Sequence, residues 1–272
     1  MINLRNALMS GKRKPTAKDY FGFSDSVFFY DGIENAGLGV HVDTLPVAYG
    51  YQQWKNLAPS AATFAYNTDM NVVSMTPTAN SLSFSTDSAW AAWGQGFNTA
   101  QISSENAEAL LTQIFGGLLS AEYTCELVFK NTVTPTGTCP ILAGYNERIL
   151  YGKYGSAGTT WLWRFSENRN GTETQVYQNL SSLSLSPAMR CFAFTQSASG
   201  SKFYSNGTAV FTRTTYPGAR FFRNMVAIKR TNTVQTVLSQ GEVFALRIYN
   251  RILTADEIAA NYAIDKARFG LT

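Results

Sequence analysis

The stretch GEVFALRIYNRILTADEIAANYAIDKARFG, residues 241–270, decides the fold of this chain. Its first part, residues 241–249, has the alternating pattern of a β-strand. We expect two faces, with Phe244, Leu246 and Ile248 on one and Ala245, Arg247 and Tyr249 on the other. The polar pair that follows, Asn250 and Arg251, is suited to a turn. The stretch therefore predicts a strand that ends in a turn.

After the turn, the same stretch carries several signals for a helix. Thr254 is a good N-cap residue, and Glu257 three positions later completes a capping box. Lys266 and Arg268 suit the negative end of the helix dipole, and Gly270 is suited to end the helix. Because these signals agree, we predict a C-terminal helix packed on the domain.

The rest of the sequence favours short strands. Charged residues make up 15% of the chain and aromatic residues 14%, a composition typical of proteins rich in strands and turns. Strands are predicted after residue 120 at 123–130, 141–145, 148–154, 159–165, 173–178, 188–195, 202–204, 209–212 and 224–229. Asn206 and Gly207 are a strong hairpin signal between two of them. Short strands at this spacing are typical of a sandwich or barrel.

The region before residue 120 has weaker patterns. Residues 24–30 predict a first strand and residues 80–84 a short one. Residues 44–80 are polar and read as irregular, with Trp54 as a buried plug within them. Residues 104–115 predict one further helix, because apolar positions recur there at helical spacing.

Positive charge is concentrated at the N-terminus. Residues 1–20 hold five basic residues against the single acid Asp19, a net charge of +4. The formal charge of the whole chain is also +4, so the remaining residues are neutral in sum. We predict a basic arm over residues 1–23 and one domain over residues 24–272. The arm is expected to dock onto an assembly through Arg5, Lys12, Arg13, Lys14 and Lys18.

The sequence also limits the expected compartment and partners. It contains no run of about eighteen apolar residues, so no membrane-spanning segment is expected. The N-terminal apolar run is too short for a secretory signal, so we expect synthesis in a cytosol without export. The arm carries less positive charge and fewer interleaved aromatic residues than a nucleic-acid surface needs. Neither a membrane nor a nucleic acid is therefore expected as a partner.

Two motifs carry a resemblance to a known family. The closing GEVFALRIYNRILTADEIAANY is similar to the last strand and helix of the concanavalin A-like lectin/glucanase superfamily, in its laminin G-like branch. The opening FFYDGIENAGLGVH, residues 28–41, resembles the start of such domains. The resemblance implies an all-β, two-sheet antiparallel jelly-roll sandwich whose first and last strands are adjacent. It also implies glycan binding or adhesion, and such domains are familiar in bacteriophage structural proteins.

Acidic residues do not form the pattern that a hydrolase of this family would need. Such an enzyme places carboxylates on one strand face, as in Glu-x-Asp-x-x-Glu, with an acid and a nucleophile about 5 Å apart for retention. The sequence has no such run, and Glu126 and Glu242 each stand alone on a predicted strand. We therefore predict that the protein has no catalytic residues and is not an enzyme.

The loop after the first predicted strand contains hard oxygen ligands. Asp31, Glu34, Asn35 and Asp43 are of the type that calcium prefers, but their spacing matches no EF-hand. Turn formation accounts for these residues, so neither a metal nor another cofactor is expected, with calcium as the alternative. His41 is the single histidine, and we expect it to hydrogen-bond the backbone of its loop.

Sugar binding requires aromatic rings beside polar groups at an accessible place. Trp161, Trp163 and Phe165 alternate along one predicted strand and so share a face, which favours the core. The candidate glycan-binding residues lie nearer to turns: Trp90, Trp93, Tyr145, Asn146, Arg148 and Tyr154.

These observations favour a non-enzymatic interaction or adhesion module on the surface of a bacteriophage virion, as a capsid decoration, head-fibre or tail protein. Its partners would be other virion or assembly proteins, through the arm, together with cell-surface glycans. A phage-encoded chain would be made in the bacterial cytoplasm without a signal peptide. Two alternatives stay open, a stand-alone lectin and a divergent glycan hydrolase.

Overall fold

The architecture was analysed in a computed structural model. It describes residues 13–48, 50–63, 68–73, 75–84, 96–99, 122–131, 139–144, 147–154, 161–165, 167–169, 172–174, 189–197, 199–214, 224–225 and 241–271. Within these ranges the chain forms eighteen β-strands, one α-helix and three short 3₁₀ helices. The predominance of strands agrees with the composition of the sequence.

The strands in chain order are β1 (Ser26–Asp31), β2 (Val47–Ala48), β3 (Tyr51–Trp54), β4 (Met70–Val73), β5 (Met75–Pro77), β6 (Leu82–Phe84), β7 (Gly96–Thr99), β8 (Tyr123–Asn131), β9 (Cys139–Gly144), β10 (Glu147–Tyr154), β11 (Trp161–Phe165), β12 (Glu167–Arg169), β13 (Thr172–Thr174), β14 (Met189–Ser197), β15 (Gly200–Ser205), β16 (Thr208–Arg213), β17 (Asn224–Met225) and β18 (Gly241–Tyr249). The helix is α1 (Ala255–Phe269), and the 3₁₀ helices are η1 (Ala17–Asp19), η2 (Phe23–Asp25) and η3 (Pro59–Thr63).

In the described part of the chain, the strands form two large antiparallel sheets and one small ribbon. Sheet A has the order β16-β15-β14-β8-β18-β6-β5, with β1 also paired to β18. Sheet B has the order β11-β10-β9-β17-β7-β4-β3-β2, and β12 pairs with β13. Some neighbours are consecutive hairpin strands, such as β14 and β15, whereas others are distant in sequence, such as β8 and β18, as in Greek-key connections. The predicted all-β jelly-roll sandwich is confirmed.

Strand β18 is the central strand of sheet A. It pairs along one edge with β8, from residue 241 to residue 249. The other edge is shared, because residues 241–243 pair with β6 and residues 245–249 pair with β1. The first and last strands are therefore adjacent, as the resemblance implied.

A β-bulge in β18 changes which way one side chain points. The register against β8 shifts between Val243 and Ala245, which inserts one extra residue. Phe244 therefore lies with Ala245 on the helix side, where its ring centroid is 5.6 Å from that of Phe269. The expectation that Phe244 shares a face with Leu246 is wrong, because simple alternation does not continue through a bulge.

The outer edge of β1 is covered by the segment that follows β3. Asn56 Oδ1 accepts a hydrogen bond from the backbone N–H of Phe29 at 2.9 Å, and Asn56 Nδ2 donates to the carbonyl of Val27 at 3.0 Å. The backbone N–H of Leu57 donates to the carbonyl of Phe29 at 2.8 Å. These bonds satisfy backbone groups that an edge strand would otherwise leave unpaired.

Trp54 connects the two sheets. It lies on β3 of sheet B and is fully buried, as the sequence predicted. Its indole N–H donates to the carbonyl of Asp31 at 2.9 Å, and its ring centroid is 5.6 Å from that of Tyr30 on β1. A buried indole N–H needs such an acceptor, so this side chain fixes β3 against β1.

The region that the sequence analysis read as irregular contains four strands, β2 to β5. Each is two to four residues long, which is too short to show an alternating pattern. One of the pairings is also remote, since β4 pairs with β7 across a long gap in sequence. The interpretation of residues 44–80 as irregular is therefore wrong, because strands this short do not show in a pattern of single residues.

The C-terminal helix agrees with its sequence signals. Thr254 Oγ1 accepts from the backbone N–H of Glu257 at 3.2 Å, and Glu257 Oε2 accepts from the backbone N–H of Thr254 at 2.8 Å. Gly270 has a φ of 70° and ends the helix. No helix in the described ranges is long and apolar enough to cross a membrane. The helix predicted at residues 104–115 lies outside the described residues.

The described part of the predicted arm lies against the domain. We call residues 13–25 the N-terminal segment. Within it, Ala17 and Tyr20 are buried in a cluster with Phe29 and Ile264. Arg13 Nη1 donates to Asp19 at 2.9 Å, and Lys14 and Lys18 are exposed. Arg5 and Lys12 lie outside the described residues.

Gly32 should tolerate substitution much less well than Gly39. A Cβ at Gly32 would lie 2.3 Å from the carbonyl oxygen of Asn80, and backbone cannot easily move away. We expect Gly32→Ala to lower the free energy of unfolding by about 3 kcal/mol, measured by urea denaturation. Gly39→Ala is the control, because its Cβ would meet nothing within 4 Å. Its φ of +74° should cost only about 1 kcal/mol. Equal losses would contradict the prediction.

Candidate functional site

A group of buried polar side chains lies between sheet A and helix α1. We call it the buried ion cluster, and its members are at most 3% exposed: Tyr20, Glu126, Arg247, Tyr249, Asn261 and Asp265. Buried charges are costly unless they are paired and hydrogen-bonded. The cluster is therefore the first place to look for chemistry.

Two neighbouring strands supply one half of the cluster. Arg247 of β18 lies directly opposite Glu126 of β8, so their side chains share a face. Arg247 Nη1 donates to Glu126 Oε2 at 3.0 Å. The hydroxyl of Tyr249 donates to the same oxygen at 2.8 Å. Register in sheet A thus brings a cation and a phenol to one carboxylate.

Helix α1 supplies the other half. Asn261, Asp265 and Arg268 recur at helical spacing, so they face the sheet together. Asp265 Oδ1 accepts from Arg247 Nη2, and Asn261 Nδ2 donates to Glu126 Oε1 at 3.1 Å. Arg247 therefore lies between two carboxylates, one from a strand and one from the helix.

The N-terminal segment closes the cluster. The hydroxyl of Tyr20 donates to Asp265 Oδ1 at 2.6 Å, and the guanidinium of Arg247 lies 3.9 Å from the centroid of the Tyr20 ring. The side chain of Asn261 hydrogen-bonds the backbone of the residue after Tyr20, Phe21. Its Oδ1 accepts from the N–H of Phe21 at 2.8 Å, and its Nδ2 donates to the carbonyl of Phe21 at 3.2 Å. Strand, helix and segment thus meet at one place.

A second buried ion pair lies beside the cluster. Arg268 is 2% exposed at its side chain and binds both carboxylate oxygens of Asp31, at 2.8 and 3.0 Å. It also donates to Glu34 at 3.2 Å. The sequence analysis assigned Arg268 only to the helix dipole, so it missed the tie between helix α1 and the loop after β1.

This pair bears on the candidate calcium ligands. The guanidinium of Arg268 already occupies the carboxylates of Asp31 and Glu34. Asn35 bonds the backbone of Val42, and Asp43 is exposed. Within the described ranges, His, Cys, Asp and Glu do not form any group of three or more that could hold a metal ion. The alternative of a calcium site in this loop is therefore not supported.

His41 has the role expected from the sequence. Its Nδ1 lies 3.2 Å from the carbonyl oxygen of Gly32 and 3.3 Å from the amide nitrogen of Asn35. Its Nε2 lies 3.2 Å from Asp43 Oδ1. These contacts hold the loop together, and His41 is not placed against a serine or cysteine nucleophile in any of them.

Burial controls the protonation of the cluster. It raises the pKa of Glu126 to about 7, although Arg247 opposes the shift. It also raises the pKa of Asp265, again against the effect of Arg247. Burial disfavours the charge of Arg247, but Asp265, Tyr20 and Glu126 together hold its pKa well above the ordinary value. The guanidinium stays charged while the two acids compete for it.

The geometry of the cluster is that of a structural element. Glu126 is 1% exposed and covered by helix α1, so a substrate does not reach it. From the sequence, Glu126 stands alone as an acid on its strand, and its bonds to Arg247, Tyr249 and Asn261 were not predicted. A polar stripe at helical spacing within residues 261–268 was the signal that could have indicated the cluster.

Glu242, the other acid considered for catalysis, lies outside the buried ion cluster. Glu242 lies on β18 and is partly exposed. Its Oε1 accepts a hydrogen bond from Ser81 Oγ at 2.9 Å. Among the described residues, Glu242 is therefore the more accessible of the two acids.

The structure does not test whether the six candidate glycan-binding residues form one site. Trp90, Trp93, Tyr145 and Asn146 lie outside the described residues. The backbones of Arg148 and Tyr154 lie on β10, opposite Ala143 of β9 and Trp161 of β11 respectively. Their side chains lie outside what the structure describes, so the assignment of these six residues stays a prediction.

The sequence matches one family model. The model of the concanavalin A-like lectin/glucanases superfamily matches residues 98–259, which is more than half of the chain. The resemblance based on the two terminal motifs is thereby confirmed. No curated protein matches the sequence.

Similar solved structures include sialidases and a toxin domain. A mutant of Trypanosoma rangeli sialidase with trans-sialidase activity has a TM-score of 0.56 at 14% identity, over 89% of this chain and 33% of that one. The T. rangeli sialidase in complex with sialic acid has a TM-score of 0.53 at 16% identity, over 94% and 34%. The binding domain of Paraclostridial Mosquitocidal Protein 1 has a TM-score of 0.53 at 12% identity, over 89% of this chain and 52% of that one. The chain thus covers about a third of the length of each of these sialidases.

These structures correct the prediction that the protein is not an enzyme. Part of each sialidase shares the fold of this chain. The missing Glu-x-Asp-x-x-Glu run had been taken to exclude catalysis, but that pattern is only one arrangement of catalytic groups, and sialidases are a known exception to the paired-carboxylate rule. At these identities the likeness shows the fold alone. Glycan hydrolysis is therefore an activity that has to be tested by experiment.

Removing the cation of the cluster should destabilise the protein strongly. Arg247→Met keeps an unbranched apolar stem but removes the guanidinium, which leaves Glu126 and Asp265 buried without a counter-charge. We expect the free energy of unfolding to fall by about 3–5 kcal/mol near neutral pH, and by less in acid, where the carboxyls take up protons. Urea denaturation at both pH values measures the difference.

Arg251→Met is the matched control. Arg251 pairs with Asp25 at 2.7 Å and Glu257 at 2.9 Å, but its side chain is 34% exposed. A solvent-exposed pair contributes about 1 kcal/mol or less. A loss for Arg247→Met no larger than that of the control would show that the cluster is not a buried ionic element.

Proposed function

Because the chain belongs to the concanavalin A-like lectin/glucanases superfamily, we propose that it binds carbohydrate. The observation that carries the proposal is the match of the family model to residues 98–259. One of the similar structures is a sialidase in complex with sialic acid, and another is the binding domain of a mosquitocidal protein. The complex with sialic acid supports a sugar as the class of ligand, and the toxin structure supports a binding role.

The residues proposed to contact the sugar do not belong to the buried ion cluster. The buried ion cluster leaves no room for a sugar, since its side chains are at most 3% exposed. An aromatic ring that stacks on the C–H face of a sugar, with amide and guanidinium donors beside it, would provide affinity and orientation. The residues proposed for these roles are Trp90, Trp93, Tyr145, Asn146, Arg148 and Tyr154.

Loss of one proposed ring should weaken binding measurably. A glycan array would identify the strongest ligand, with sialyllactose and lactose as defined probes, each with and without calcium. Isothermal titration calorimetry then measures its affinity. We expect Tyr145→Ala or Trp93→Ala to reduce the association constant about fivefold, because one stacking contact contributes on the order of 1 kcal/mol.

Leu38→Ala is the control for this experiment. Leu38 is an apolar side chain that is 70% exposed on the loop after β1, so its loss should leave folding and affinity unchanged. Wild-type affinity in both aromatic variants would contradict the proposed residues. An array with no ligand at all would contradict carbohydrate binding itself.

Glycan hydrolysis is a second candidate function, favoured by the likeness to the sialidases. The same sugars, incubated with the protein and assayed for released monosaccharide, test it directly. Release that is lost in Glu242→Gln would support hydrolysis, because Glu242 is the more accessible acid. Turnover that persists in this variant would assign catalysis to other residues, and no release would leave binding as the function.

We also propose that the basic arm docks the domain onto a larger assembly, with a bacteriophage virion surface as the specific case. The support is the charge distribution, since the arm holds the whole net charge of +4. Lys14 and Lys18 are exposed and free to meet an acidic surface, whereas Arg13 pairs with Asp19. Electrostatic complementarity of this kind directs association and fixes orientation.

Truncation should separate docking from folding. Deletion of residues 1–12 leaves Ala17 and Tyr20 in place, so we expect an unchanged melting temperature and a large loss of incorporation into virions. The measurement is the fraction of tagged protein recovered with purified particles. Lys14→Glu with Lys18→Glu should give the same loss, and Lys202→Glu, an exposed lysine on β15, should not. Normal incorporation of the truncated chain would contradict the docking role.

A further inference from the structure

The buried ion cluster has more carboxylates than cations. Arg247 serves both Glu126 and Asp265. The neighbouring guanidinium, Arg268, is occupied by Asp31 and Glu34 and does not supply the missing charge. Because water does not reach these groups, the excess negative charge is not screened by solvent.

The two acids are in contact with groups from several elements. They face Arg247 and Tyr249 from β18, Asn261 from α1, Tyr20 from the N-terminal segment, Cys191 from β14 and Cys125 from β8. Arg268 from α1 and Asp31 from β1 lie beside Tyr20. Among these described groups the arginines are the only cations. A proton is therefore the simplest counter-charge for the extra carboxylate.

The same two acids hold the N-terminal segment. Asp265 accepts from the hydroxyl of Tyr20, which is the only polar group on that side chain. Asn261 bonds the backbone of Phe21 and, through the same amide, the carboxylate of Glu126. A change of charge on the acids therefore acts directly on the contacts that keep the segment in place.

We propose that the buried ion cluster is a proton-controlled clasp, which holds the N-terminal segment and helix α1 on sheet A firmly when the Glu126–Asp265 pair carries one proton and loosens when that proton is lost. The two acids titrate as a coupled pair, so the proton belongs to the pair. Residues 13–23 of the segment belong to the predicted basic arm, so the clasp controls how firmly this part of the arm is held on the domain.

The direction of the pH dependence follows from the burial of Glu126. Its pKa is about 7 in the closed cluster, against 4.5 for the ordinary group. The closed form therefore binds the proton more tightly than the open form. Closure is strongest below the ordinary pKa, weakens as the pH rises between these values, and is weakest above the pKa of the closed form.

Hydrogen exchange of the wild-type protein tests the clasp directly. Protection factors, corrected for the intrinsic pH dependence of exchange, are compared at about pH 5.5 and about pH 8.5. We expect amides of residues 20–23 and 261–269 to lose protection by about tenfold or more at the higher pH. Amides of β15, which lie outside the cluster, should change much less. Equal protection of the segment at both pH values would overturn the proposal.

Two variants test the assignment to the acid pair. Glu126→Gln is uncharged at every pH, so it should abolish the change in protection. Tyr249→Phe removes one donor to the ionised carboxylate and keeps the ring, so it should move the midpoint upward by about one pH unit. Tyr249→Phe keeps the test decisive if Glu126→Gln does not fold.

Glu257→Gln is the control variant. Its carboxyl lies outside the cluster, and Arg251 holds its pKa below the ordinary value, so it titrates below the tested range. The wild-type pH response should therefore persist in this variant. A wild-type midpoint in Tyr249→Phe, or a full pH response in Glu126→Gln, would overturn the clasp.

Discussion

The buried guanidinium of Arg247 is the interaction on which the rest of this structure depends. A charge in such a place is tolerated only with counter-charges and hydrogen bonds in good geometry. Register between β8 and β18 supplies Glu126, and helix α1 supplies Asp265. The ring of Tyr20 covers the guanidinium from the N-terminal segment. Parts of the chain that are remote in sequence are therefore held to one face of sheet A by a single side chain.

This arrangement closes one face of sheet A. The face under helix α1 is filled by buried charge and aromatic contacts, which hold the N-terminal segment and the helix. The proposed binding of a glycan therefore depends on residues outside the buried ion cluster. The family match gives the superfamily of the chain, and the likeness to part of the sialidases shows its fold.

Local signals in the sequence predicted the elements that local physics determines. The capping box at Thr254 and the turn at Asn206 and Gly207 need only neighbouring residues, and both are present, with φ values of 49° and 76° in the turn. The bulge beside Phe244 and the pairing of Arg247 with Glu126 depend on the register of strands far apart in sequence, so a single chain segment does not reveal them. The same holds for the candidate glycan-binding residues, because the sequence does not specify how residues spread between positions 90 and 154 are placed relative to one another.

The central position of β18 has a consequence for the synthesis of the protein. Its partners β1, β6 and β8 all precede it, and it begins at Gly241. Sheet A therefore lacks this strand until residues 241–249 have left the ribosome, and contacts of such long sequence separation form slowly. Until then, β1 lacks the one sheet partner that it has among the described residues, and its apolar side chains are exposed to other nascent chains. Completion of sheet A is thus a late step of folding, and a polypeptide cut short before residue 241 is a substrate for chaperones and proteases.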